Sequence, residues 1–243
     1  MDTPARTPRY TLGLIGGMSW ESTLPYYRQI NEVVRRECGG LHSARLLLYS
    51  VDFHDIEQLQ QAGDWEAAGA AMASAARALQ AGGADLLVLC TNTMHRVAAA
   101  IEAATPLPLL HIADPTADAL AALGVSRVGL LGTRFTMEQD FYRDRLMQRG
   151  FDVRVPDAAA RDDVHRIIYE ELCLGVLRDT SRQRYRQIMA ALVADGAEAI
   201  VLGCTEIALL VRAEDAAVPL LDTAHLHAEA AALRSLSPSL AQA

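Results

Sequence analysis

Three stretches of this 243-residue chain recur in the same order at nearly constant spacing. Gly13-Leu14-Ile15-Gly16 returns as Gly129-Leu130-Leu131-Gly132, an offset of 116. Gly83-Ala84-Asp85 with Leu87-Val88-Leu89 returns as Gly196-Ala197-Glu198 with Ile200-Val201-Leu202, an offset of 113. Pro108-Leu109-Leu110 returns as Pro219-Leu220-Leu221, an offset of 111. One such match could arise by chance among Leu- and Gly-rich strands, but three in register mark two related halves. Whatever one half folds into, the other must also fold into.

The repeated segments contain short apolar runs, Leu86–Leu89, Val128–Leu131 and Ala199–Leu202, bounded by glycine or polar residues. Such runs read as strands buried on both faces. Between the runs lie helical patterns over Trp65–Gln80, Met137–Arg149 and Arg182–Ala194. Gly82-Gly83 and Gly196 fall where helices should stop before the next strand. Alternating strands and helices predict α/β architecture: two pseudo-symmetric parallel-sheet halves with the active site in the cleft between them. The expected division is residues 1–111 plus 222–243 for the first domain and 112–221 for the second.

Composition removes several functions. The net charge of −8 offers no basic footprint for nucleic acid. No apolar stretch reaches the roughly 18 residues needed to span a bilayer. Met1 to Tyr10 lacks the apolar core of a secretory signal, so a cytoplasmic location is expected. All 22 basic residues are arginine. Without lysine the chain cannot hold pyridoxal phosphate as a Schiff base. The histidines have no zinc-like spacing and HExxH is absent, so no metal is expected. The double glycine at Gly16-Gly17 lacks the rest of a dinucleotide fingerprint.

The duplication places Thr91 and Cys204 in equivalent positions, 113 residues apart. Cys204 follows a strand and Gly203, and precedes Thr205-Glu206-Ile207. At a strand-to-helix turn, helical N–H groups should lower its pKa and favour thiolate. The plainer reading is a buried cysteine that fills space. Thr91-Asn92-Thr93 would be poorly satisfied in a core. At a cleft its groups suit a carboxylate, and they also suit capping of the following helix. Cys90 alternates away from Thr91 and reads as core, and His95 reads as a capping or packing residue. Trp20 either walls a pocket or simply packs.

Gly16-Gly17-Met18-Ser19-Trp20-Glu21-Ser22-Thr23, Cys90-Thr91-Asn92-Thr93-Met94-His95 and Gly203-Cys204-Thr205-Glu206-Ile207 together resemble the aspartate/glutamate racemases. Ser50-Val51-Asp52-Phe53-His54 and Glu170-Glu171-Leu172-Cys173-Leu174-Gly175 extend the resemblance over nearly the whole chain. It implies inversion of an amino acid at Cα without a cofactor, with one group removing a proton on one face and another returning it on the opposite face. It implies Cys204 and Thr91 as the catalytic pair and Met18 and Trp20 as pocket lining. Asn92, Thr93 and Thr205 are the expected donors to the α-carboxylate, with Gln60 a further binding residue. Arg45 and Arg134 are the cations considered for a side-chain carboxylate. It also implies that the chain after about Leu221 packs back onto the first half.

Many relatives carry cysteine where this chain has Thr91. A hydroxyl is a far weaker acid than a thiol, so two-way racemisation is expected to be inefficient. The resemblance to the L-aspartate/glutamate-specific members, which also carry threonine here, implies turnover biased to the L-enantiomer, with water assisting Thr91. Two rival readings stay open: a cysteine-dependent decarboxylase or cis-trans isomerase on the same fold, and a non-catalytic small-molecule sensor. The expected partner is a small amino acid, with neither nucleic acid nor membrane. Homodimers are common for such folds, although the sequence identifies no interface.

Overall fold

The computed structural model describes residues 7–240, and the apolar runs are parallel strands within it. Leu12–Gly16 (β1), Leu46–Ser50 (β2), Leu86–Leu89 (β3) and Leu109–Leu110 (β4) form one sheet in the order β2-β1-β3-β4. Arg127–Gly132 (β5), Asp152–Arg154 (β6), Ala199–Gly203 (β7) and Leu220–Asp222 (β8) form another in the order β6-β5-β7-β8. Every pairing is parallel. The same strand order occurs twice, as the repeated sequence requires. The expectation of two parallel α/β halves holds.

The described residues group into two units. One takes the chain up to Cys90, then Val97–His111 and the chain from His227; the other takes Thr91–Arg96 and Ile112–Leu226. In the first, β1 and β3 are wholly buried, while the edge strand β2 exposes Leu48, Tyr49 and Ser50. Backbone N–H groups of Arg9 and Tyr10 donate to Ser235 O at 2.9 and 3.2 Å. Residues 1–6 of the polar opening stretch lie outside the described residues. His227 donates from Nε2 to Leu110 O at 2.9 Å and accepts at Nδ1 from Tyr26 Oη at 2.9 Å.

In the second unit, alternate strand residues serve opposite faces of the sheet. Ile200 and Leu202 join a cluster with Met137, Tyr185 and Cys204, whereas Ala199 and Val201 join one with Tyr142 and Leu146. This division explains a departure from expectation. The single helix expected over Met137–Arg149 is two, Arg134–Glu138 and Asp140–Gln148, parted at Gln139, which is extended at φ −95° and ψ 153°. Met137 packs on one side of the sheet and Tyr142 and Leu146 on the other, and the extended residue lets the chain change sides.

The other expected helices form as Trp65–Ala81 and Asp179–Ala194. The first is capped by Asp64, which accepts from Ala67 N at 3.0 Å, and ends where Gly82 N–H returns to Ala78 O. Surface charges pair through guanidinium groups. Arg145 grips Asp114 with two bonds of 2.6 and 2.8 Å, and Arg127 meets Glu198 at 3.0 Å. Among the described residues no helix is long and apolar enough to cross a membrane, and no cluster of His, Cys, Asp and Glu could hold a metal ion.

Candidate active site

Parallel pairing puts the carboxyl ends of β5, β7 and β8 side by side. Gly132 pairs with Gly203, and Leu202 with Asp222. The residues that follow these strands, Thr133, Cys204 and Thr223, therefore form one row, with Cys204 in the middle. Side chains at the two glycines would block it: a Cβ on Gly132 would stand 2.7 Å from Gly203 O, and one on Gly203 would stand 2.9 Å from Leu131 O. Both contacts are with backbone, which cannot yield cheaply.

The Thr91–Arg96 segment lies on this row. Thr93 Oγ1 meets Thr133 Oγ1 at 3.0 Å on the β5 side, and Asn92 Nδ2 donates to Thr223 Oγ1 at 3.0 Å on the β8 side. Thr223 Oγ1 donates its one hydrogen to Leu202 O at 2.8 Å. Because that carbonyl can only accept, Thr223 must accept from the amide, which settles the orientation of the Asn92 side chain. Asn92 Oδ1 is then a buried acceptor without a partner on a residue 2% exposed. His95 holds the segment's turn, donating from Nδ1 to Thr91 O at 2.7 Å and accepting at Nε2 from Ile112 N at 3.1 Å. Those bonds give His95 the packing role read from the sequence.

Cys204 is 8% exposed, and its Sγ donates to Glu206 Oε2 at 3.0 Å. Thr205 Oγ1 donates to the same oxygen at 2.8 Å. Burial pushes the Cys204 thiol well above its ordinary pKa, and the Glu206 carboxylate pushes in the same direction. The expected stabilisation of thiolate by helical N–H groups is thus corrected. The helix after the turn, Ile207–Leu210, spans one turn, and desolvation, with the buried carboxylate second, outweighs it. Glu206, itself buried, is a candidate site residue that the sequence reading did not single out. Its signal was the Cys-Thr-Glu spacing, which does not reveal that the turn folds the carboxylate back onto sulfur. Thr133 and Thr223 were missed as well.

Cys90 is fully buried, its thiol reaching Val88 O at 3.7 Å, and desolvation pushes its pKa far up. It is core, as its alternation suggests. Thr91 is buried within the second unit beside Asn92. Met18, Trp20 and Gln60 belong to the first unit. Met18 is buried after β1, Trp20 is 61% exposed at the start of the helix Trp20–Cys38, and Gln60 is buried on the helix Phe53–Ala62. Arg45 precedes β2 and so stands at the amino end of its sheet, away from the strands' carboxyl ends. Arg134 follows Thr133 at the carboxyl end of β5, where it pairs with Asp162 at 2.6 Å.

A thiol and a carboxylate buried against each other are costly to desolvate, and an apolar pair would fill the same space without that cost. Such a pair at the carboxyl end of a central parallel strand, where α/β sheets bind their ligands, marks the class as an α/β enzyme built by duplication. Residues 15–231 match the Asp/Glu/Hydantoin racemase family model, and the chain belongs to that family. It is an enzyme of the isomerase type. A candidate Asp/Glu racemase from Yersinia pestis is 57% identical, with a TM-score of 0.87 over 94% of this chain and 100% of that one. An aspartate racemase homologue from Pyrococcus horikoshii is 32% identical, with a TM-score of 0.80 over 94% of this chain and 100% of that one. The glutamate racemase of Francisella tularensis, solved with D-glutamate, shares the fold at 14% identity, with a TM-score of 0.65 over 96% of this chain and 85% of that one.

Proposed function

We propose that the protein is a cofactor-independent racemase acting on aspartate, glutamate or a related free amino acid. Cys204 exchanges the Cα proton on one face, and Thr91, assisted by water, serves the other. The observation that carries this reading is the position of Cys204: mid-row at the carboxyl edge, with Asn92 and Thr93 docked on its two sides. The free Asn92 Oδ1 suits a donor such as the substrate ammonium, and the hydroxyls of Thr93 and Thr133 suit its carboxylate. Arg134 is the side-chain cation at the right end of a strand. The weak acidity of Thr91 supports unequal turnover of the two enantiomers, and the resemblance to L-specific members makes L the proposed favoured one. The proposed setting is the cytoplasm, with a small amino acid as the partner and a homodimer as the proposed assembly.

The test is incubation with L- and D-aspartate and glutamate in heavy water. Cα–H exchange is followed by NMR and enantiomer ratio by chiral chromatography. Exchange with inversion, abolished in Cys204→Ala, is expected. Absence of exchange across a wide amino-acid panel would overturn the proposal and turn attention to decarboxylation or isomerisation.

A further inference from the structure

Resting on the racemase reading, we infer that Cys204 and Glu206 share one proton, and that Glu206 is the positioning residue that takes the thiol hydrogen and leaves charge on sulfur. A cysteine that must remove a Cα proton needs to be thiolate, yet this one lies where water cannot readily take its hydrogen. Among the described residues, the acceptor bonded to Sγ is Glu206 Oε2, 3.0 Å away, and Glu206 is itself 2% exposed.

The transfer is internally balanced. The S–H bond breaks, an O–H bond forms on Oε2, and one negative charge passes from carboxylate to sulfur. No other reactant is needed. Thr205 Oγ1, donating to the same oxygen at 2.8 Å, keeps that oxygen facing the thiol before and after the transfer. Among the described residues, the titratable groups that act on the thiol are Glu206 and Cys173, neither of them a cation. Cys173 packs against the same cluster, and Tyr185 is a fully buried phenol within it. Glu171, on the Tyr185 side, is held by Ser181 Oγ at 2.6 Å, with Arg166 and Arg178 at 3.7 Å from its carboxylate.

A shared proton has a signature that a lone thiol lacks. Once the pair has lost its first proton, the split between S–H with carboxylate and thiolate with carboxylic acid no longer depends on pH, until the second proton leaves. The reactivity of Cys204 should therefore be nearly flat from about pH 6 to 9, whereas an uncoupled thiol gains about tenfold per pH unit below its pKa. The experiment is alkylation of the free, full-length enzyme by iodoacetamide, read at the Cys204 peptide by mass spectrometry. The wild type should change by less than about threefold over that range. Glu206→Gln keeps an acceptor of the same shape without a place for the proton, and should restore the tenfold slope.

A tenfold slope in the wild type overturns the inference, whether or not the variant folds. So does a flat profile that survives in folded Glu206→Gln. In the exchange assay the same variant should lower kcat by about 100-fold near neutrality, within the usual range for lost proton transfer, with KM little changed. A wild-type enzyme that exchanges no amino acid would sink the racemase reading alone, and the alkylation profile would still decide the pair.

Discussion

Gly17 and Gly83 share φ +92°, both in the first unit, but their surroundings differ. A Cβ on Gly83 would meet nothing within 4 Å, while one on Gly17 would stand 2.4 Å from Val51 O and 2.8 Å from Val51 N. Alanine at either site takes a left-handed backbone penalty of about 1–2 kcal/mol, offset by roughly 0.4–1 kcal/mol of lost unfolded-state freedom. Gly83→Ala should therefore cost about 1 kcal/mol. Gly17→Ala adds overpacking of about 1–3 kcal/mol. It also endangers the 3.0 Å bond from Val51 N to Gly16 O, which contributes about 1 kcal/mol. Its total should reach about 3–5 kcal/mol. The two variants unfold the same unit, so the difference between their urea midpoints, multiplied by a common m-value, isolates the clash and the lost bond at about 2–4 kcal/mol. In melting temperature, roughly 2–4 °C per kcal/mol applies at this chain length. Equal losses in the two variants, or a Gly17→Ala cost under about 1 kcal/mol, would refute the reasoning.

Four further outcomes are expected. Thr91→Cys supplies a better acid and should raise turnover of the poorly used enantiomer by about tenfold or more, within the range for general acid–base catalysis; an unchanged enantiomer ratio of rates in the chiral assay argues against Thr91 as the second group. Thr223→Val strips partners from Asn92 and Leu202 and should cost about 2–3 kcal/mol in chemical denaturation, since buried groups are left unsatisfied. Tyr185→Phe removes a buried hydroxyl that has no partner and should raise stability by about 1 kcal/mol; a fall of that size would mean the hydroxyl is bonded in solution. Burial raises the Asp222 pKa above its ordinary value. The folded state then holds that proton more tightly than the unfolded state, so stability falls as pH rises through the folded pKa. Asp222→Asn, which still caps Ala224 N and His225 N, should be more stable than wild type at neutral pH and lose that advantage in acid.

Much of the fold was legible because its signals are local. Apolar runs of four or five residues with glycine at their ends admit few alternatives to buried parallel strands, and β3 matches the expected Leu86–Leu89 residue for residue. The break at Gln139 was hidden because it answers to which side of a sheet Met137 and Tyr142 reach, a question sequence periodicity does not pose. In the candidate site, the duplication pointed to Thr91 and Cys204 directly. What it could not reveal were bonds between distant residues. Asn92 and Thr223 are 131 positions apart, and nothing in either neighbourhood announces the other. The thiol's electrostatics were misjudged for a related reason. A backbone dipole can be anticipated from a strand-to-helix turn, but the orientation of the Glu206 side chain depends on packing.

Guanidinium groups carry every side-chain cation in the ion pairs among the described residues, as in Arg145–Asp114, Arg127–Glu198 and Arg184–Asp163. An ammonium begins to discharge near pH 10, with a pKa of about 10.4, whereas a guanidinium holds its proton past about pH 12. Between neutrality and strong base, the side chains that change charge are then mainly its seven tyrosines and four cysteines. The Arg–carboxylate lattice on its surface is accordingly an alkali-resistant one, and base-induced unfolding would have to begin in the interior, at phenols and thiols such as Tyr142 and Cys90, which burial already holds protonated far into the alkaline range.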